Sequence, residues 1–125
     1  MSTMSFNLTL PNELLDELAF NVHGVETVRG LSAAGVLGMI EDIMNIGLEE
    51  HLGETEDFTI HPAGPGSFTI QIPLIALSDV ALNVANIESI EGMSSDDICG
   101  VMDEIVMAGL DELLGHSEGF NLRAV

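Results

Sequence analysis

The sequence predicts an α+β domain in which a tandem duplication of a β-α-α-β unit forms a pseudo-two-fold molecule, with a four-stranded, mainly antiparallel sheet packed by helices. Three observations lead there. Residues 6–60 match residues 68–122 without a gap at a constant offset of 62, and about 18 of the 55 aligned positions are identical. Both halves open on a short run that alternates apolar and polar residues and then pass into segments with helical spacing. Between the halves, Phe58-Thr59-Ile60 and Phe68-Thr69-Ile70 flank a Pro/Gly-rich stretch at 61–67, which reads as the loop of a β-hairpin. The whole chain, 1–125, is then one domain made of the two repeats.

Each element has a local reason. The opening strands are expected at 6–10 and 68–72, where Phe6, Leu8 and Leu10 alternate with Asn7 and Thr9, and Phe68, Ile70 and Ile72 alternate with Thr69 and Gln71. Pro11 and Pro73 end them, because proline has no N–H for a ladder and suits a helix start. A helix follows over 12–20, with Leu14, Leu15, Leu18, Ala19 and Val22 on one side, and its counterpart over 74–82. Asn21 and Asn83 read as the stop signals of these helices. After a loop containing Gly30 or Gly92, Ser32 and Ser94 are the expected N-caps of two longer helices. These run to Leu52 and Leu114 and stop at Gly53 and Gly115. Closing strands are expected at 57–61 and 120–124, and the pseudo-two-fold requires the first and last strands to pair as the central hairpin does.

Charge dominates the composition. Asp and Glu number 21 against two basic residues, Arg29 and Arg123, for a formal net charge of −19. With so few cations the carboxylates find almost no internal ion-pair partner and must lie on the surface, solvated or facing something cationic. No basic patch can be assembled, so direct binding to nucleic acid or to an anionic membrane surface is disfavoured. Hydrophobic residues make up 46%, with seven Met and no Trp or Tyr. That is ample for a core and leaves apolar surface for a homo-oligomer. Cys99 is the single cysteine, and Met1 to Leu10 lacks the pattern of a signal peptide, so a cytoplasmic protein, or a virion component if of viral origin, is expected.

The long helices carry their acids in a repeated layout. Glu41, Asp42, Glu49 and Glu50 align with Asp103, Glu104, Asp111 and Glu112, the pairs lying eight residues, about 12 Å, apart along a helix. Asp96 and Asp97 share the half-cylinder of the second set, while Ile98, Val101, Met102, Ile105 and Leu113 take the other half. An ordinary solvated face would look similar, but such a face usually mixes signs for i,i+4 support. These ten acids are therefore the candidate partner-binding residues. Gly38/Gly100 and Gly47/Gly109 fall inside the long helices, where each costs about 1 kcal/mol relative to Ala. Their recurrence predicts either a close helix crossing or a kink. His23, His51, His61 and His116 are not duplicated, and none belongs to a zinc-spaced cluster, although Glu50, His51 and His61 could meet. Cys99 aligns with Leu37 and reads as a small buried hydrophobe.

No nucleophile-elbow, zinc-protease or phosphate-loop motif occurs. Asp42-x-x-Asn45-Ile46-Gly47 resembles the E-x-x-N helix of the CheC/CheX chemotaxis phosphatases, which also contain duplicated units. The likeness covers six residues, has Asp for Glu, and is lost in the second copy, where Met107 stands at the Asn position. The activity is not carried over. The expectation is a non-enzymatic protein without cofactor or metal that presents its carboxylates to a basic protein partner, such as a phage or mobile-element inhibitor mimicking nucleic acid. The alternatives are a structural subunit or assembly factor of a larger particle such as a virion, an unrecognised enzyme, and acidity that reflects a high-salt environment.

Overall fold

The opening alternation of polar and apolar residues becomes the first of four strands. The computed structural model describes residues 2–88 and 90–125. Among these the order is β1 (Thr3–Thr9), α1 (Asn12–His23), a 3-10 turn (Val28–Gly30), α2 (Ala33–Leu52), β2 (Thr59–Gly64), β3 (Ser67–Pro73), α3 (Leu74–Ala85), α4 (Ser95–Leu114) and β4 (Asn121–Ala124). The fold is α+β, with four helices and one four-stranded antiparallel sheet in the order β2-β3-β1-β4.

The first and last strands pair as expected, with Leu8 opposite Leu122 and Asn7 opposite Arg123. The central pair sets Phe6 opposite Ile70 and Leu8 opposite Phe68. On one face of the sheet Phe6, Leu8, Phe68, Ile70 and Ile72 are buried against helices. The facing helix residues include Leu18, Met39, Ile43, Met44, Leu77, Met102, Ile105 and Leu110, all fully buried. The other face is polar: Thr9, Gln71, His61 and Arg123 are exposed and Asn7 and Thr69 half-exposed. The helices thus cover one face, the usual arrangement for an antiparallel sheet with one wet side.

Three boundaries differ from expectation. β1 starts at Thr3, ahead of the first aromatic, because Thr3 and Met4 find partners in Pro73 and Ile72 of β3. The hairpin loop is tighter than 61–67: β2 continues to Gly64, leaving Pro65 and Gly66 as the turn. Pro62 is tolerated there because β2 is an edge strand with an irregularity between Pro62 and Gly64. The third difference concerns Asn21 and Asn83, which do not stop their helices. α1 and α3 continue to His23 and Ala85, and the left-handed caps are Gly24 and Asn86. The asparagine side chains have another task. Nδ2 of Asn21 donates to the Leu113 carbonyl (3.3 Å) and Nδ2 of Asn83 to the His51 carbonyl (2.8 Å). Both carbonyls lie in the last turn of a long helix, where no intrahelical N–H is left to satisfy them.

The other helix ends agree with their signals. Oγ of Ser32 accepts from the Gly35 N–H (3.1 Å) and Oγ of Ser94 from the Asp97 N–H (3.2 Å). α3 and α4 begin and end 62 residues after α1 and α2: 12 to 74, 23 to 85, 33 to 95 and 52 to 114. α2 and α4 pack extensively on each other. Their crossing is where two glycines stand. A Cβ on Gly47 would press into the Ile105 carbonyl, and one on Gly109 into that of Ile43, both well inside the 3.0 Å that Cβ atoms essentially never breach. Gly38 and Gly100 have open space at the same test, so only the later pair marks the crossing. No described helix is long and apolar enough to cross a membrane.

Candidate acidic partner-binding surface

The glycine crossing decides which carboxylates become neighbours. It brings the C-terminal half of α2 against that of α4. Glu50 and His51 of α2 thereby line one cavity of about 310 Å³ with Glu104, Met107, Ala108, Asp111 and Glu112 of α4. The His51 ring is held in place by a hydrogen bond from Nε2 to the Glu104 carbonyl (3.0 Å). Because a carbonyl only accepts, Nε2 carries the proton there. Four carboxylates from two helices surround this cavity, and Arg29 and Arg123 lie elsewhere, on the 3-10 turn and on β4. Such a site favours a cation, and its apolar floor of Met107 and Ala108 suits the stem of a long basic side chain.

The remaining predicted residues are distributed differently. Glu41, Asp42, Glu49, Asp96, Asp97, Asp111, Glu112 and Glu50 are exposed, whereas Asp103 and Glu104 are half-buried. The ten acids are therefore spread over more than one surface. Glu41 turns toward β2 and shares a cavity of about 540 Å³ with Asn45, Glu56, Asp57 and His61. His61 accordingly stands apart from Glu50 and His51, and no described group of three or more His, Cys, Asp or Glu is placed to hold a metal ion. Asp96 and Asp97 occupy the first turn of α4, where the helix dipole favours negative charge.

Asp103 is half-buried on α4. Burial, and secondarily the Glu104 carboxylate beside it, pushes its pKa above the ordinary Asp value. Cys99, one turn earlier, is half-buried rather than buried, and its Sγ donates to the Leu122 carbonyl at 3.5 Å. Burial first, then the Asp103 charge, pushes the thiol pKa up, the opposite of what an activated nucleophile needs.

One acidic group was missed from the sequence. Glu13, Asp16, Glu17 and Glu26 surround Phe20, which is 61% exposed, in a cavity of about 360 Å³. The i,i+3 and i,i+4 spacing of Glu13, Asp16, Glu17 and Phe20 on α1 carried the signal. Asp16 is partly engaged, its Oδ1 accepting from the Val28 N–H at 2.9 Å. Glu17 accepts from Nε2 of His116 at 2.8 Å, and that bond raises the His116 pKa.

No family model, curated protein or solved structure matches the chain.

Proposed function

We propose that this chain is a non-enzymatic acidic binding protein that presents a carboxylate-rich surface to a basic protein partner, in the manner of a phage or mobile-element inhibitor that mimics nucleic acid. The observation that carries the reading is the cavity at the helix crossing. Glu50, Glu104, Asp111 and Glu112 converge there in a chain with two basic residues among 125. We further read residues 6–60 and 68–122 as duplicate copies about a pseudo-two-fold. The support is the shared 62-residue shift of Gly47/Gly109, of Ile43/Ile105 and of the Asn21 and Asn83 bonds to Leu113 and His51 respectively. On that reading, duplication is what sets two like-charged helices side by side, since each brings its own acids to the crossing.

The test is capture of the partner from lysate, followed by association kinetics across a salt series. The expected partner is basic, is displaced from nucleic acid by this chain, and binds fast at low salt. Replacing the exposed Glu50, Asp111 and Glu112 by Asn or Gln should slow association while leaving the fold intact, because exposed charges contribute little to stability. A flat salt dependence and an unchanged association rate would refute the reading. A particle subunit is the second reading, favoured by the exposed apolar residues Phe20, Ile75 and Leu82, at 61%, 60% and 44% exposure. Open-ended assembly in sedimentation would select it.

A further inference from the structure

A second opening lies between α3 and α4, and its lining is of a different kind. Ala81, Val84, Ile87, Met93 and Val101 make it apolar, and its two charged residues are Asp97 and Glu104. Its volume is about 340 Å³, enough for a large apolar side chain. At two of its lining positions this half carries the smaller residue: Val101 stands 62 residues after Met39, and Ala85 stands 62 after His23. Gly100 lines the groove too, and a Cβ there would meet nothing within 4 Å.

Glu104 lines both this groove and the acidic cavity at the helix crossing. The two openings therefore adjoin along α4. Asp97, Glu104 and Asp111 follow one another at seven-residue steps, about 10 Å each. A ligand laid along α4 meets apolar surface first and then, about two helical turns on, a cluster of carboxylates. A small cation would leave the groove empty, and nucleic acid is repelled. A second copy of this chain brings net charge −19 against a carboxylate cluster and has only Arg29 and Arg123 to offer it.

We propose that the α3–α4 groove and the adjoining acidic cavity form one docking site for a cationic amphipathic helix. Its apolar anchor sits among Val84, Met93 and Val101, and its Lys or Arg side chains sit on Glu104, Asp111, Glu112 and Glu50. The proposal rests on the reading that the partner is basic, and it specifies the form of that partner. Apolar burial supplies the hold and charge supplies the steering and the register.

Two labelled synthetic peptides of about five helical turns, ~18 residues, test this. One has a Leu stripe and a Lys face; the other has the same Lys residues with every Leu replaced by Gln. Each is titrated by fluorescence anisotropy against the full chain and its Gly100→Leu variant at about 0.15 M salt, and against the full chain again at about 1 M. The Leu peptide should bind about tenfold tighter or more. Gly100→Leu should bring it down to the level of the Gln peptide, whose own binding stays unchanged. Ala85→Leu, at an exposed position on the α3 wall, gives the same test if Gly100→Leu fails to fold. Equal binding of the two peptides, or no effect of either variant, overturns the groove while leaving the basic-partner reading in place. If neither peptide binds in a salt-sensitive way, the basic-partner reading itself falls. Dimerisation of the free chain that Gly100→Leu reverses would assign the groove to a second copy and likewise overturn the proposal.

Discussion

Gly47→Ala should destabilise the domain although alanine is the better helix former. In an exposed helix interior the exchange gains about 1 kcal/mol. At position 47 the added Cβ falls on the Ile105 backbone, with the carbonyl carbon and Cγ2 each at 2.8 Å and the carbonyl oxygen closer still. A side chain could rotate away, but a helix carbonyl cannot. α2 and α4 must then part by about 1 Å, against interiors that are close-packed. Overpacking of this kind costs about 1–3 kcal/mol and sometimes more; a clash with backbone stands at the upper end, so about 3 kcal/mol less the ~1 kcal/mol helix gain leaves a net loss of about 2 kcal/mol. For a domain of this size that lowers Tm by roughly 6–10 °C. Gly38→Ala is the control: the position has nothing within 4 Å, so it should gain up to about 1 kcal/mol and melt higher. Circular dichroism melts of both variants decide the matter. A Gly47→Ala protein that melts at or above the parent would refute the close-crossing argument. The functional consequence follows from the same displacement, because parting the helices moves Glu50 away from Glu104, Asp111 and Glu112.

Further outcomes follow from the polar contacts. Asn83→Ala should cost about 1 kcal/mol, because it leaves the His51 carbonyl without its donor; a chemical denaturation midpoint equal to the parent's would contradict this. Asp103 has a folded pKa raised above the ordinary value of 3.8, so the folded state holds its proton more tightly than the unfolded chain does. Its ionisation therefore opposes folding above that range, and stability rises as pH falls through the folded pKa toward the unfolded one. Asp103→Asn should raise Tm at neutral pH and flatten that part of the pH profile. His116 shifts stability in the same direction with pH, but through a favourable contact rather than an unfavourable one. Its folded pKa is raised by Glu17, so its contribution is present below the unfolded value of 6.5 and is lost as pH rises through the folded one. NMR titration of the imidazole should show the raised midpoint returning toward the ordinary value in Glu17→Gln.

The local elements were legible in the sequence because their causes are local. Ser32 and Ser94 cap, Gly53 and Gly115 terminate, and Pro11 and Pro73 separate strand from helix through interactions that reach only a few residues. Alternation in 6–10 and 68–72 announced which side of the sheet would be buried, and the 62-residue match anticipated that β1 would pair with β4. The surface placement of the acids was also legible, since carboxylates without cations cannot be buried.

What the sequence left open were the matters set by contacts between distant residues. Asn21 and Asn83 resemble stop signals in one dimension; only packing shows them satisfying the carbonyl ends of α4 and α2. Both long helices carry two glycines at matching positions, and only the crossing point separates Gly47 and Gly109, which touch backbone, from Gly38 and Gly100, which do not. The sequence showed the same acidic layout on each long helix, because helical periodicity orders residues around a single axis. Two crossing helices have two axes, and the way they cross sends Glu41 toward β2 and gathers Glu50 with Glu104, Asp111 and Glu112. Composition alone determined that this surface is negative, since two arginines cannot balance 21 acids wherever the chain puts them. Where that charge is concentrated was decided by tertiary structure, because two backbones can approach at Gly47 and Gly109 as they cannot where a Cβ intervenes.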